Sequence, residues 1–355
     1  MGEVLARLRE DEEAAAWLDG LRALGGPVPE PVLPSVLELP GVLLDLAVPH
    51  EDVNEVVELR DRMLADEDWR WLLGRCAAGL FGGLDPTPAS EGGSGGGHGT
   101  GGPPMPRLPA ALGAAGRLFA VFVFLAALPR ARALHRERGI PAEVSRRTFA
   151  DLGRQLAVHR MRNGTSGVNK PSWLRLHLRA ELFQLGRLQF QRSDPAPAWV
   201  PLPADRAALT LHIPDFSGPL SEAACEESLA LARDFFPRHF PERRWALAHC
   251  SSWLLDPQLG DYLAADSNIL AFQRRFHLVG VSEAAEAAGA AAATAAAGVP
   301  GTAAAADDEA PLRYVFGPVD LPPAELPRRT SLERAIGDHL RAGGHWHGGR
   351  GWFAL

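Results

Sequence analysis

The sequence predicts an α+β protein, in which a helical N-terminal domain precedes a mixed sheet flanked by helices. Two patterns support this prediction. Apolar residues recur every three or four positions early in the chain, as in 53–59, whereas polar and apolar residues alternate in 209–214 (LTLHIP). A chain of 355 residues is long enough for two domains. We therefore predict a helical domain over 1–160 and a sheet-containing domain over 161–355.

The most apolar part of the helical domain is the run 118–128 (LFAVFVFLAAL). It is too short to span a bilayer and predicts a buried core helix. Two segments, 86–107 and 283–310, differ from the rest of the chain, since the first is rich in glycine and the second in alanine. Neither contains enough large apolar residues to offset the entropy lost on ordering, so both are predicted to be flexible insertions.

Beyond residue 160, helix and strand patterns alternate along the chain. Ser172 and Ser221 are each followed by apolar residues at helical spacing and are predicted to cap helices, the first of which ends at Gly186. A further capped helix is predicted at 331–343. The predicted strands are 187–192, 209–214, 244–255, 269–280 and 313–317. A mixed sheet with helices on its faces is the simplest packing of these elements.

Composition argues against several classes of function. Hydrophobic and charged residues make up 46% and 22% of the chain and the formal net charge is −7, so neither a nucleic-acid nor a membrane partner is expected. The cysteines Cys76, Cys225 and Cys250 are far apart and form no CxxC pair, which fits a reducing cytoplasm. The N-terminal segment lacks the apolar core of a signal peptide. We therefore expect a cytoplasmic protein.

The segment 249–259 (HCSSWLLDPQL) allows two interpretations, a nucleophile with its base or a buried strand. In a strand, His249 and Cys250 point to opposite faces, and burial raises the pKa of a thiol, so the strand interpretation is favoured. Cys250 and Ser252 are kept as candidate catalytic residues, because a hydrolase that uses a cysteine or serine nucleophile is an alternative function.

His212 is the candidate general base. It alternates with Leu211 and Ile213, so its imidazole lies on the opposite face of the strand, where it can titrate near neutral pH. A structural histidine in the core is the alternative interpretation. No covalent intermediate is needed if His212 carries the proton transfer.

Two further groups of polar residues have a regular spacing. Glu181, Gln184 and Arg187 have the spacing of one helix face, where they would line a cleft or form a solvated surface, and Glu181 is a candidate catalytic residue. His345 and His347 would share one strand face, but two ligands without a third are too few to predict a metal site. No metal is expected.

One glycine-containing loop is rich in basic residues. In the segment RMRNGTSGVNK, Arg160, Arg162 and Lys170 bracket Gly164 and Gly167, whose backbone N–H groups can approach a phosphate closely. This loop is the candidate anion site. A polar loop between the two domains, without a ligand, is the alternative.

Six longer segments stand out: 173–190 (WLRLHLRAELFQLGRLQF), 211–214 (LHIP), 232–242 (ARDFFPRHFPE), 251–259 (SSWLLDPQL), 266–279 (DSNILAFQRRFHLV) and 331–355 (SLERAIGDHLRAGGHWHGGRGWFAL). Together they resemble a bacterial family identified as acyltransferases. Its members combine a helical N-terminal domain with a C-terminal domain similar to the GNAT-type N-acetyltransferases. The resemblance covers roughly 1–85, 108–282 and 311–355 and leaves out the two unusual segments.

The resemblance implies that acetyl-CoA or another acyl-CoA is the co-substrate. LTLHIP would be the fourth strand of the acetyltransferase fold and RWALAHCSSWLL the fifth, with the thioester lying where the two separate. A base would deprotonate an amine, a backbone N–H would stabilise the oxyanion and an acid would protonate the thiolate. Tyr262 is at the position where the superfamily often has the tyrosine that acts as this acid. Asn268 and Arg274 are further candidate cofactor-binding residues.

The loop that holds the pyrophosphate in the superfamily departs from its usual pattern here. At its place the sequence reads DFSGPLSEAACEE, whose three glutamates would repel a pyrophosphate at this helix N-terminus. We therefore predict that the basic loop from Arg160 to Lys170 contributes more to phosphate binding than Ser217 and Gly218, which are the alternative.

The leading functional hypothesis is an acyl-CoA-dependent acyltransferase that transfers its acyl group directly to a small amine or hydroxyl acceptor. One alternative is the cysteine- or serine-dependent hydrolase. Another is an acyl-CoA-binding module without catalytic activity, which the unusual phosphate loop favours. The sequence does not specify the acceptor or the oligomeric state.

Overall fold

A computed structural model describes residues 2–82, 102–193, 195–279, 307–318 and 321–355. Most of both predicted insertions, 86–107 and 283–310, lies outside these residues. The chain divides into two compact units, Met1–Phe183 and Gln184–Leu355. This division falls later than the predicted boundary after residue 160, because the helix Asp151–Asn163 spans that position and the next helix, Pro171–Leu178, also belongs to the first unit.

The N-terminal unit is helical. Two of its helices begin with side-chain caps, which satisfy N–H groups that have no partner within the helix: Asp11 accepts a hydrogen bond from the N–H of Ala14, and Asp66 from that of Trp69. The helices are α1 (Glu3–Arg9), α2 (Glu12–Ala23), α3 (Leu39–Asp45), α4 (His50–Ala65), α5 (Glu67–Leu80), α6 (Gly113–Glu137), α7 (Ala142–Phe149), α8 (Asp151–Asn163) and α9 (Pro171–Leu178).

Helix α6 contains the apolar run 118–128 and forms the centre of this unit. Phe119, Phe122 and Phe124 on this helix are each buried. Its length and hydropathy would be enough for a membrane span, but 67% of its apolar window is buried inside the unit, as in the core helix of a globular domain. The predicted core helix is therefore present.

A buried polar cluster joins α8 to α9. The carboxylate of Asp151 accepts a hydrogen bond from the indole N–H of Trp173 at 3.0 Å and lies 3.1 Å from Nε2 of His177. Burial raises the pKa of Asp151, but the opposing effect of His177 and of the Arg154 guanidinium is larger. The pKa of Asp151 therefore lies well below its usual range. The position of α9 is thus fixed by a charged hydrogen-bond network as well as by apolar packing.

The C-terminal unit is built on a six-stranded sheet in the order β1-β2-β3-β4-β6-β5. The strands are β1 (Leu182–Leu185), β2 (Leu188–Ser193), β3 (Ala207–His212), β4 (Trp245–Ser252), β5 (His277–Leu278) and β6 (Gly349–Ala354). The helices are α10 (Glu222–His239), α11 (Asn268–Gln273), α12 (Glu309–Phe316) and α13 (Ser331–Arg341). The predicted α+β class, with a helical first part and a mixed sheet in the second, is confirmed.

One face of this sheet is apolar and packs against α10. Phe190 of β2 meets Phe236 of α10 edge-to-face, with the ring centroids 6.4 Å apart. The hydroxyl of Ser221 accepts from the N–H of Ala224 and caps α10, as predicted. Helix α10 follows β3 along the chain, and the loop 213–221 connects them.

The helix predicted from Ser172 to Gly186 is wrong in its second half. Helix α9 ends at Leu178, and Ala180 has a left-handed φ of +53° that cannot continue a helix. The following residues form β1, in which all four side chains are buried. Leu182 and Leu185 have the spacing of a helix, but a strand that is buried on both faces shows no alternation of polar and apolar residues. The sequence pattern therefore does not distinguish a helix from a strand here.

Two predicted strands are helical over part or most of their length. Residues 268–273 form α11, whose N-terminus is capped by Ser267, so only β5 remains of the strand predicted at 269–280. Residues 313–317 belong mostly to α12, where Leu312, Val315 and Phe316 recur at helical spacing and pack into one apolar cluster. Short apolar runs do not distinguish the two elements.

The ends of the predicted insertions pack against the units. The N–H of Gly102 donates to the carbonyl oxygen of Gly79 at 2.8 Å. The carboxylate of Asp308 accepts from the N–H of Trp346 and lies 2.7 Å from Nδ1 of His345. His345 and His347 precede β6 and do not share a strand face, because the pairing of β6 begins only at Gly349.

Candidate active site

The parallel strands β3 and β4 separate at one end. Their pairing runs from Ala207 opposite Trp245 to Thr210 opposite His249. Beyond this point β3 continues to His212 along β2, and β4 continues to Ser252 along β6. The opening between these two strand ends is called the fork. The strands that the resemblance assigns to the thioester are therefore the strands that separate.

A polar face lies at the fork, formed by alternate residues of three strands. Nε2 of His212 lies 3.0 Å from Oε1 of Gln191 on β2, which orients the imidazole. Oγ1 of Thr210 lies 3.1 Å from Nε2 of His249 on β4. His212 and Thr210 are half-buried, whereas His249 is only 3% exposed. A proton acceptor and a hydroxyl thus lie two residues apart on one face of β3.

His249 is neutral in this environment. The edge of Trp199 packs against its ring, with the centroids 5.4 Å apart, and burial lowers the pKa of His249 to about 4. A neutral imidazole has one donor and one acceptor, so it can orient the hydroxyl of Thr210 without adding charge.

Cys250 lies on the opposite, apolar face. It pairs with Gly351 of β6 and is 2% exposed, and burial raises the pKa of its thiol to about 12. The thiolate, which is the nucleophilic form, is therefore scarce at neutral pH. The geometry favours proton transfer on the polar face over covalent chemistry at Cys250.

The loop between β3 and α10 has the backbone shape of a tight turn. Phe216 and Gly218 have φ values of +54° and +78°, and no atom lies within 4 Å of the position that a Cβ would take at Gly218. Nε of Arg187 donates to the carbonyl oxygen of Gly218 at 2.8 Å. The hydroxyl of Ser217 donates to the carbonyl oxygen of Asp215 at 3.2 Å.

The glutamates of early α10 have a counter-charge that the sequence did not reveal. Arg275, which follows α11, forms an ion pair with Glu226, and its guanidinium lies 3.8 Å from Glu222. Its side chain is only 14% exposed, so its charge is held close to these carboxylates. The predicted repulsion of a pyrophosphate from this helix N-terminus is thereby reduced.

The basic loop that begins in α8 belongs to the N-terminal unit. Arg160 forms an ion pair with the buried Asp52, and Arg162 lies in the last turn of α8. The loop ends at Lys170, immediately before α9. The charge of Arg160 is therefore already committed to a carboxylate.

Both glycines of this loop have structural reasons to be there. Gly164 ends α8 in the left-handed conformation, and a Cβ at Gly167 would lie 2.6 Å from Nε2 of His159. Neither position needs a phosphate to explain its glycine.

The other predicted site residues have local partners. The hydroxyl of Tyr262 lies 3.0 Å from Nδ1 of His339, and Ser252 accepts from the N–H of Leu254. Arg274 donates to a backbone carbonyl oxygen at 2.8 Å, and Asn268 begins α11.

The proposed helix face of Glu181, Gln184 and Arg187 does not exist, because these residues precede, form and follow β1. In the N-terminal unit, Glu181 accepts a hydrogen bond of 2.6 Å from Nε of Arg179. Among the described residues, no group of three or more His, Cys, Asp or Glu side chains is arranged to hold a metal ion.

Sequence reasoning missed Gln191, Thr210 and His249. The signal for the first two was present, since each alternates with apolar residues in its strand as His212 does. The sequence presents His249 only as the neighbour of Cys250, because its partner Thr210 is identified only by the register of β3 and β4.

Both units of the chain match known protein families. Residues 38–180 match the N-acyltransferase N-terminal domain, and residues 182–353 match the GNAT-like C-terminal domain. A comparison with curated proteins gives no match.

Solved structures of acyltransferases are similar over nearly the whole chain. A mutant of the acyltransferase orf11* in complex with octanoyl-CoA is 39% identical, with a TM-score of 0.78 and 98% of each chain covered. An acyltransferase in complex with decanoyl-CoA and teicoplanin is 39% identical, with a TM-score of 0.77 and the same coverage. Another, in complex with decanoyl-CoA, is 36% identical, with a TM-score of 0.78 and 99% and 98% of the two chains covered.

The predicted resemblance is confirmed by these matches, both in family and in fold. The protein is an acyl-CoA-dependent enzyme and belongs to the acyltransferases that join an N-acyltransferase N-terminal domain to a GNAT-like C-terminal domain.

Proposed function

We propose that the enzyme transfers a medium-chain acyl group from acyl-CoA directly to an amine of a glycopeptide at the polar face of the fork. The sequence favoured a small acceptor. A larger acceptor is supported by one relative with decanoyl-CoA and teicoplanin and by another, 38% identical, with CoA and 10C-teicoplanin. The second combination is the product pair that an acyl transfer would leave, whether direct or through an acyl-enzyme.

The observation that carries this proposal is the position of His212. It is half-buried, stands at the end of β3 where the fork opens, and is oriented by Gln191. With a base in this position, the transfer does not require Cys250 or any other residue of the apolar face. General-base catalysis typically contributes about 10²–10⁴ to the rate.

Each step of the proposed transfer has a group in this chain. His212 takes a proton from the acceptor amine as its nitrogen bonds to the thioester carbonyl carbon. The hydroxyl of Thr210, oriented by neutral His249, donates to the carbonyl oxygen as negative charge develops there. The carbon–sulfur bond then breaks, and the released thiolate takes the proton that His212 received from the amine, so that the products are an amide and CoA and His212 is again a free base.

We further propose that the β3–α10 loop, rather than the basic loop of the N-terminal unit, contacts the pyrophosphate. Three observations support this: the open space at Gly218, the first turn of α10, and the ion pairs of Arg275 with the early glutamates. Arg275→Ala is expected to weaken CoA binding about tenfold, since it leaves those carboxylates uncompensated. Arg160→Ala should leave binding within about twofold. The opposite order of effects in calorimetric titrations would return the phosphates to the basic loop.

The transfer itself is tested with the full-length enzyme, decanoyl-CoA and a glycopeptide that has a free sugar amine. Mass spectrometry is expected to show an acceptor heavier by one decanoyl group, with one CoA released per acceptor. Release of CoA with an unmodified acceptor would indicate the hydrolase instead. Binding of decanoyl-CoA without release would indicate the non-catalytic module. A simple amino sugar in place of the glycopeptide tests acceptor size, because a small-acceptor enzyme would modify it equally well.

A further inference from the structure

One arginine from the turn between β1 and β2 holds the loop 213–221, which connects β3 to α10. Nε of Arg187 donates to the carbonyl oxygen of Gly218 at 2.8 Å, and Nη1 donates to that of Pro214 at 3.1 Å. The guanidinium is planar and its N–H groups have a fixed geometry. These two hydrogen bonds therefore constrain two points of the loop at once.

The backbone of this loop is strained between the two points. Phe216 has a left-handed φ of +54°, a conformation that is unfavourable for a residue with a Cβ and persists only where the surrounding structure enforces it. Its ring is 65% exposed, so packing of the ring contributes little to holding the loop. The hydrogen bonds of Arg187 to Pro214 and Gly218 lie on either side of the strained residue and can enforce its conformation.

Arg187 is itself fixed to α10. Its backbone N–H donates to the hydroxyl of Ser228 at 2.8 Å, and that hydroxyl donates to the carbonyl oxygen of Ala224 at 2.8 Å. Gly186, which precedes Arg187, has a φ of +63°, and a Cβ at this position would lie 2.7 Å from Oγ of Ser228. The turn therefore packs closely against α10, and the side chain of Arg187 extends to the loop from a fixed position.

The charge of Arg187 also lies near the start of α10. Burial raises the pKa of the Cys225 thiol in this helix, and the charges of Arg275 and Arg187 partly offset that effect. Two cations thus lie close to the end of the helix at which the proposed function places the pyrophosphate.

We propose that Arg187 is a positioning residue for the acyl donor, which holds the loop 213–221 in the conformation that binds the pyrophosphate of CoA. This inference rests on the proposed contact between the loop and the pyrophosphate. Arg187 acts through the loop and does not touch the reacting atoms.

The test combines hydrogen exchange of the loop, measured in the full-length protein without CoA, with calorimetric titration of CoA. Arg187→Met removes both side-chain hydrogen bonds and keeps an unbranched chain. We expect about tenfold faster exchange in 213–221 and about tenfold higher Kd for CoA. Arg187→Lys keeps the charge but not the planar set of donors, and should give intermediate values of both quantities. The matched control is Arg238→Met, an exposed arginine in the last turn of α10, which should behave as the parent.

The exchange rate and the affinity must change together. Equal exchange in the parent and in Arg187→Met would show that Arg187 does not hold the loop and would overturn the inference. A higher Kd with unchanged exchange would also overturn it, because Arg187 would then contact CoA directly. If Arg187→Met melts at a much lower temperature than the parent, the milder Arg187→Lys gives the same comparison.

Faster exchange with an unchanged Kd would overturn the inference as well, and Arg275→Ala then identifies which proposal fails. If Arg275→Ala also leaves the Kd for CoA unchanged, the loop does not bind the pyrophosphate and the proposed phosphate site is wrong. If Arg275→Ala weakens CoA binding, the phosphate site stands and only the role of Arg187 is wrong.

Discussion

The two faces of the C-terminal sheet differ sharply at the fork, although a single peptide bond separates His249 on one from Cys250 on the other. On the polar face, side chains from three strands hydrogen-bond to one another, as between His212 and Gln191. On the apolar face, the Cys250 thiol is buried beside core residues. Residues that are adjacent in a strand do not form a catalytic pair. The sheet geometry separates a proton acceptor from a potential nucleophile and favours direct transfer.

The largest expected effect comes from removing the proposed base. His212→Ala should lower kcat with decanoyl-CoA and a glycopeptide amine by about 10²–10⁴. Binding of decanoyl-CoA and the melting temperature should change little, since His212 is half-buried. The matched control is His50→Ala, an exposed histidine that begins α4. A kcat close to that of the parent would remove His212 from the mechanism.

Loss of the hydroxyl on the same face should have the next largest effect. Thr210→Val is expected to lower kcat about 10²-fold with little change in KM for the donor, because the hydroxyl would act mainly in the transition state. Thr210→Ser keeps the hydroxyl and should restore most of the activity. If KM rises and kcat is unchanged, Thr210 binds the ground state and does not stabilise the oxyanion.

Gln191 orients the base and should have a smaller effect. Gln191→Leu removes the partner of His212 and is expected to lower kcat about tenfold, the value of one hydrogen bond. Gln191→Glu keeps an acceptor oxygen at this position and should recover much of the loss. Equal activity of the parent and the leucine variant would show that the ring of His212 is held by other contacts.

The two faces should also differ in how their stability depends on pH. His249 has a native pKa of about 4 against an ordinary 6.5, so the unfolded chain binds a proton that the native state does not, and stability falls as pH drops from 6.5 towards 4. Cys250 has a native pKa of about 12 against 9.0, so stability falls as pH rises from 9.0.

Thermal unfolding across the pH range measures both effects. His249→Phe should give a shallower loss of stability on the acid side, and Cys250→Ala a shallower loss on the alkaline side. A Cys250→Ala variant whose acid side changes instead would contradict the assignment of faces.

The strands that form the fork could be predicted from the sequence, because the alternation of Leu209, Leu211 and Ile213 with Thr210 and His212 is local. The lengths of the elements that flank these strands could be predicted less well. The first part of the strand predicted at 269–280 is helix α11, because Ser267 caps this helix and the local apolar pattern fits a helix as well as a strand.

The electrostatics of the site were the least predictable part. The sequence presents Arg160 as a free cation and the glutamates of α10 as uncompensated charges, but Arg160 pairs with Asp52 and Glu226 with Arg275. Both partners lie far away along the chain. Ion pairs of this kind depend on tertiary packing, so a count of charges within one loop does not predict its affinity for an anion.

The central claim is that the acyl group passes directly from donor to acceptor on the polar face and is never bonded to the enzyme. Intact-protein mass spectrometry of enzyme quenched during turnover of decanoyl-CoA tests this most directly, with and without the acceptor amine. The predicted result is an unmodified protein mass at every time point, together with nearly full activity of Cys250→Ala. A protein heavier by one decanoyl group, with the adduct mapped to Cys250 and absent in Cys250→Ala, would contradict it.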